Sequence, residues 1–381
     1  MNVRRTLLSL LAPLSALVFA IAVSSIVLWA SGHNALDAWH DMFFYANDIR
    51  REVTIVNRAV PLYLSALAVA FAFKMNLFNI GVEGQYQLAI LLAAAVGANV
   101  ALPAPVHVLL IVVVAVAVGA AWSGIAGVLK AYRGVHEVIA TIMLNAIAGG
   151  VIAYLLTAYL RDPNEPNIIK TEPIPASGLF PSLNRVLEAV GLEVPSGTDL
   201  QGFVVVAILC GIAFHVVVTR TRFGYDLRAS GTNPWAALVS GVNPKGMVIK
   251  TMLVSGAIAG LVGMSQLLGF FGRYHQDFPT GLGFAGIAVA LLGRNHAVGM
   301  AIGALLFGFL NVSAQILDLN DVPKEIIDIM QAITLLSVVV SYEVVRRMIA
   351  ASELRAAAAA TGGMATQPAR TAVLENSGES A

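Results

Sequence analysis

The chain has 381 residues, 58% hydrophobic and 12% charged, with a net charge of +1 and a mean hydropathy of +0.79. Soluble domains carry roughly 25% charged residues, so the composition argues against a soluble enzyme. The near-zero balance, distributed by side of a membrane rather than in patches, gives no footprint for nucleic acid. An all-α integral membrane protein is the expected fold class. The one cysteine, Cys210, lies in an apolar run and can form no internal disulfide.

Apolar windows able to cross a hydrocarbon core of about 30 Å fall near 7–30, 59–75, 85–102, 106–129, 136–159, 201–219, 250–271, 281–293, 297–317 and 326–345. They predict about ten transmembrane helices, including short or broken spans, the eighth being too short to cross unaided. The first window follows Arg4 and Arg5 and is longer than a signal-peptide core of about 7–15 residues, so a retained span is expected. With the N-terminus cytoplasmic, the inner segments hold Arg4, Arg5, Lys74, Lys130, Arg133, Arg220, Arg222, Arg228, Lys245, Lys250, Arg294, Arg346, Arg347, Arg355 and Arg370, 15 of the chain's 23 Lys and Arg. That bias sets topology, and both termini then face the cytoplasm.

Two outer segments are long. Within 31–58, Leu36, Trp39, Phe43 and Phe44 fall on one helical face, which predicts an interfacial amphipathic helix. Residues 161–200 hold six prolines and form the largest extracytoplasmic loop, either a docking surface or a proline-stiffened connector. Residues 1–351 make the expected permease domain. Residues 352–381 turn alanine-rich and then small and polar, and are expected to form a disordered cytoplasmic tail.

Residues 76–87, NLFNIGVEGQYQ, break two apolar runs around one carboxylate, Glu83. At a helix centre a carboxylate costs about 2.5–3.5 kcal/mol on insertion scales, so it must be paired, solvated or at a helix start. Three readings follow. Gly81 and Gly84 favour a break, with Glu83 in the first turn of the third span, where free N–H groups and the dipole stabilise it. Alternatively Asn79, Glu83 and Gln85 line a translocation path, or Glu83 is a protonatable coupling site. In VHEVIATIMLN, residues 135–145, Glu137 orders a helix start and Asn145 lies about two turns deeper, able to bond a polar ligand or a neighbouring helix. Gly256 with Gly260, and Gly299 with Gly303, give small-xxx-small faces, more commonly used within one subunit than between two. TGLGFAGIAVALLG, residues 280–293, reads as a half-helix or a short tilted span.

The longest inner loop, 220–250, carries ordered helix signals. Thr232 or Asn233 can cap a helix with Pro234 at its first position, Trp235, Ala236, Ala237, Leu238, Val239 and Ser240 follow, and Gly241 can close it in a left-handed cap. Such a helix projects from the cytoplasmic side and fits a groove on a motor subunit, or is a structural lid. No phosphate-binding loop, HExxH or Cys/His metal spacing occurs, and no catalytic triad can be assembled at one surface. The chain is expected to have no catalytic or metal site, and any ATP must be used by another chain.

FGYDLRASGTNPWAALVSGVN resembles the coupling-helix region of the branched-chain amino acid, ribose and nucleoside permease family of ABC importers. FNIGVEGQ, VHEVIATIMLN and GFAGIAVALLGRNH resemble segments of its nucleoside branch. The resemblance covers most of residues 60–345. It implies a multi-pass permease of the bacterial inner membrane working with a second permease subunit, identical or related. It further implies two cytoplasmic ATP-binding subunits and an extracytoplasmic substrate-binding lipoprotein. Nucleosides are the leading cargo, simple sugars the alternative. The rivals are an ion-coupled secondary transporter, which should show several intramembrane acids, and a membrane scaffold or assembly factor.

Overall fold

The computed structural model describes residues 18–347 apart from 166, 190, 193, 196, 321, 324, 327, 338, 339, 342, 343, 345 and 346. The expected tail at 352–381 lies outside the described residues. The chain forms two units, one of residues 24–335 and one drawn from 1–23 and 336–381; in the second, residues 18–23 are helical, and all that follows concerns the first.

Among the described residues every element longer than three residues is helical, and the extended chain contributes two isolated bridges, Lys170 with His275 and Ser182 with Gln201. In chain order the helices are α1 (Val18–Ala30), α2 (Ala35–Ala46), α3 (Ile49–Phe73), α4 (Val82–Asn99), α5 (Ala104–Arg133), α6 (Glu137–Ala158), α7 (Asn184–Ala189) and α8 (Phe203–Arg220). They continue with α9 (Arg222–Thr232), α10 (Pro234–Val239), α11 (Pro244–Gly260), α12 (Met264–Gln266), a π segment (Leu267–Phe271), α13 (Leu282–Leu292) and α14 (Ala297–Leu319).

Six helices among the described residues are long and apolar enough to cross a membrane, or seven if α1 and α2, bent by 117°, count as one. The windows at 7–30 and 326–345 lie partly outside the described residues, and two others do not become such helices, for physical reasons. The window at 85–102 becomes α4, whose first turns carry Glu83, Gln85 and Gln87; packed inside the bundle, it need not be apolar. The window at 281–293 becomes α13, whose 11 residues rise only about 16 Å, half a bilayer core.

The outer segment expected at 31–58 also divides differently. Asn34 caps α2, and its Leu36, Phe43 and Phe44 are exposed while Ala38, Met42 and Ala46 are buried. Residues 49–58, however, belong to α3: Asp48 accepts from the Arg50 N–H and starts that helix ahead of its apolar window.

Burial sorts the bundle. The apolar window of α3 is 72% buried, against 28% for each of α5, α6 and α8. Thus α3 and α4 form the centre, and α5, α6 and α8 turn Leu109, Val113, Ile142, Ile147, Ile208 and Ile212 outward, as lipid-facing helices do. A smaller core joins Leu28, Ala38 and Met42 to Leu310, Leu317, Val322 and Met330.

Glycines set the tightest contact, between α5 and α11. A Cβ on Gly119 would stand 2.2 Å from the Gly256 carbonyl oxygen, and one on Gly260 would stand 2.1 Å from that of Ala115. The Gly256 and Gly260 face is therefore used inside the chain. Gly299 and Gly303 likewise pack on Gly293 and Leu292.

The proline-rich segment is pinned down. Thr171 and Ile174 donate to the carbonyls of Tyr274 and Gly272, and Phe180 donates to that of Leu268. Glu165 pairs with Lys170 and, at 3.3 Å, with Arg273. His107, fully buried, bridges Ser177 and the Gly97 carbonyl.

Candidate functional site

Glu83 lies in the first turn of α4, whose N-cap, Gly81, offers no side chain. Its carboxylate does not serve its own helix alone. The N–H groups of Gly281 and Gly283 donate to Oε1 and Oε2 at 2.7 and 2.8 Å, so Glu83 caps the start of α13. Gln87 Nε2 donates to Oε1 at 2.7 Å. The Tyr86 hydroxyl stands 3.0 Å from the same oxygen and 2.9 Å from the Pro279 carbonyl, and with one proton it donates to one of them at a time. Two helix N-termini, each carrying partial positive charge, thus share one buried carboxylate. The start of α13 lies roughly 16 Å along the helix from the turn at 293–296, deep in the bundle.

Asn79 and Gln85, each 1% exposed, pair through their carboxamides at 2.8 and 3.0 Å. Asn79 also donates to Ser255 (2.9 Å), which donates on to the Ala68 carbonyl, and accepts from the Gly81 N–H. Asn145, on α6, accepts from the Gly84 N–H and donates to the Ile80 carbonyl, both at 2.9 Å. The four sequence-predicted residues are brought together around the break at 76–84, and both oxygens of Glu83 and the donors and acceptors of Asn79 and Asn145 are engaged by the chain itself. Close approach explains the glycines: a Cβ on Gly84 would meet the Asn145 Cα at 2.9 Å, and one on Gly283 would meet the Glu83 N at 2.5 Å. Glu137 orders its helix start as expected, pairing with Lys130 at 2.7 Å.

The helix expected at 233–241 is α10. Asn233 is the cap, accepting from the N–H groups of Trp235 and Ala236 at 3.1 Å, and Pro234 takes the first position. Gly241 has φ +82°; its N–H donates to Leu238 and that of Val242 to Ala237, a Schellman closure. Ala237 is buried, while Trp235, Leu238 and Val239 are 79, 53 and 89% exposed, so an apolar edge projects from the bundle. Behind it, Asn76 donates to the Gly231 carbonyl at 2.7 Å, and Gly231 lies against the Met75 backbone. The projecting arm is thereby joined to the chain that leads to Glu83.

Sequence reasoning missed a cavity of about 300 Å³ between α3, residues 197–201 and the π segment. Asn57, Arg58, Asp199, Gln201, Gln266 and Phe270 line it. Gln201 and Gln266, 8 and 7% exposed, have carboxamide oxygens that are buried and accept no hydrogen bond. Gly269 lets Gln201 lie across the π segment, since a Cβ there would meet its Cγ at 2.9 Å. Phe270 is 75% exposed. Single amides in apolar runs have no period to betray them. The pairing of Gln266 with a π segment, which recurs at functional sites, is visible only in three dimensions.

The helical fold, with six or seven apolar helices among the described residues, agrees with what the chain is related to. Residues 53–339 match the family described as branched-chain amino acid transport system / permease component, and the chain belongs to that family. It is thus a multi-pass membrane permease of the ABC-importer kind. It is 35% identical over 347 residues to the guanosine ABC transporter permease protein NupP of Bacillus subtilis, covering 88% of this chain and 94% of that one. It is 33% identical over 348 residues to the glucose ABC transporter permease protein TsgB13 of Haloferax volcanii (89 and 90%). To the nucleoside ABC transporter permease protein NupB of Lactococcus lactis it is 29% identical over 336 residues (87 and 91%). No solved structure matches the chain.

Proposed function

We propose that this chain is the nucleoside-carrying permease subunit of an ATP-driven importer in a bacterial inner membrane. It works beside a second permease subunit, identical or related, and an extracytoplasmic substrate-binding lipoprotein. It carries no ATPase site and binds no cofactor; the ATP is used by cytoplasmic subunits. In the topology we favour, ten segments cross or enter the bilayer, α13 as a half-span, and both termini are cytoplasmic.

The observation that carries the cargo assignment is the cavity at Gln201 and Gln266. The carboxamide oxygens of Gln201 and Gln266, buried without a donor, can accept from the N–H and O–H groups of a nucleoside once these side chains turn into the cavity, and exposed Phe270 offers a face for its base. A simple sugar is the second reading, favoured by the glucose permease among the relatives. Asn79, Glu83, Gln85 and Asn145 then act on the pathway from behind, by holding the break that joins α4 to α13.

Coupling is assigned to Asn233, Pro234, Trp235, Ala236, Ala237, Leu238, Ser240 and Gly241. ATP binding closes the partner subunits, α10 takes up that movement through its apolar edge, and the Gly231–Asn76 contact passes it to the polar break. Cysteines at the exposed positions Ala236 and Ser240 are expected to crosslink to a co-expressed ATPase subunit within an assembled complex. Repeated failure in a complex that still assembles would remove α10 from the interface.

A further inference from the structure

A second cavity, of about 240 Å³, opens at the opposite end of α3, where Lys74, His215, Arg228, Asn295 and His296 gather with Thr219. These side chains come from four places in the fold: the end of α3, α8, α9 and the turn between α13 and α14. Among the described residues no carboxylate lines the cavity. Among the described residues the side chains of Lys74, His215, Arg228 and His296 make no hydrogen bond or ion pair. Burial and Arg228 push the Lys74 ammonium down from its ordinary value, and burial with Lys74, Arg294 and His215 pushes His296 down. Like charges have been assembled here without a counter-charge.

The turn that supplies two of these groups is strained. Arg294 and Asn295 both have left-handed backbones, φ +53° and +55°, which side chains other than glycine adopt at a cost. The Asn295 Oδ1 is buried without a donor, leaving its amide N–H₂ as the group available to the cavity. Strain of this kind persists where surrounding structure imposes it, and it clusters at ligand sites.

We propose that this cavity binds a phosphate group, and that its source is the headgroup of an anionic phospholipid. The α8 surface makes the second assignment. Ile208, Leu209, Ile212 and Val216 are exposed along one face of that helix, and the same face continues through His215 to Thr219 at the cavity. An acyl chain lying on this apolar stripe carries its phosphate to the basic groups. Basic recesses between membrane helices at the water boundary bind such headgroups, and the chemistry holds in whichever leaflet this end of the bundle lies.

The test uses the assembled permease–ATPase complex in nanodiscs of mixed phosphatidylglycerol and phosphatidylethanolamine, with bound lipid counted by native mass spectrometry after release. The wild-type complex is expected to retain phosphatidylglycerol in preference to phosphatidylethanolamine. Lys74→Gln and Arg228→Gln should each lower that preference roughly fivefold. His215→Gln, a change at an exposed side chain that folding does not need, should weaken it in the same direction. Three results would overturn the proposal. One is equal retention of both lipids by the wild type; another is binding of inorganic phosphate with no preference for phosphatidylglycerol, which leaves a free-anion site; the third is a preference seen only after the ATPase subunits are removed, which makes the cavity a receptor for their acidic side chains.

Discussion

Replacing Glu83 with alanine is expected to remove most of the folded protein. The substitution leaves the N–H groups of Gly281, Gly283 and Gln87 without their acceptor and exposes two helix N-termini to each other inside the bundle. At roughly 1–3 kcal/mol for each buried donor left unpaired, the loss from the three is about 3–9 kcal/mol, a large share of a typical folding free energy of about 5–15 kcal/mol. Glutamine keeps one oxygen but turns an N–H₂ toward a backbone N–H, so Glu83→Gln should be destabilised less than alanine and more than wild type. Fluorescence-detected gel filtration and thermal unfolding in detergent read both. Should Glu83→Gln assemble and unfold like the wild type while cargo preference changes, the carboxylate meets the substrate and the capping role is secondary.

The second large effect lies at the α5–α11 contact. Gly260→Leu or Gly119→Leu must push apart two backbones whose carbonyls already stand about 2 Å from the position of an added Cβ. Overpacking of this kind typically costs about 1–3 kcal/mol for small additions and more for large ones, and leucine is expected to abolish a gel-filtration peak of the folded chain. Gly149→Ala and Gly150→Ala provide the control, because an added Cβ there meets nothing within 4 Å; they should be neutral or slightly stabilising through helix propensity. Loss of pairing between permease subunits with the single chain intact would instead mean that the glycine face serves dimerisation.

Local signals were legible in the sequence, and distant partners were not. The cap of α10 by Asn233, its Pro234 and its left-handed Gly241 are encoded within nine residues, and the structure has all three. Glu83 could be placed in a helix's first turn from its glycines, yet its principal partners lie 198 and 200 residues away and leave no local trace. The span count was only partly legible, because hydropathy is blind to what surrounds a helix. A window registers apolar length whether the neighbours are lipid or protein, so the burial of α4 leaves no mark in it, and the 11-residue length of α13 shows only as a short window. For the amide-lined cavity, the polar residues come from α3, from residues 199 and 201 and from residue 266, and no window contains them together.

The cargo reading connects these parts: a polar break deep in the bundle, an apolar-edged arm that projects from it, and an amide-lined cavity at the far end of α3. Its most direct test is accumulation of labelled guanosine by cells lacking the native chain and complemented with wild type or with Gln201→Leu/Gln266→Leu. The account predicts energy-dependent uptake that requires the chain, is competed by other nucleosides but not by glucose or ribose, and falls in the double variant at unchanged protein level. Nucleoside uptake that survives deletion of the chain, or uptake competed by glucose and not by nucleosides, would contradict it.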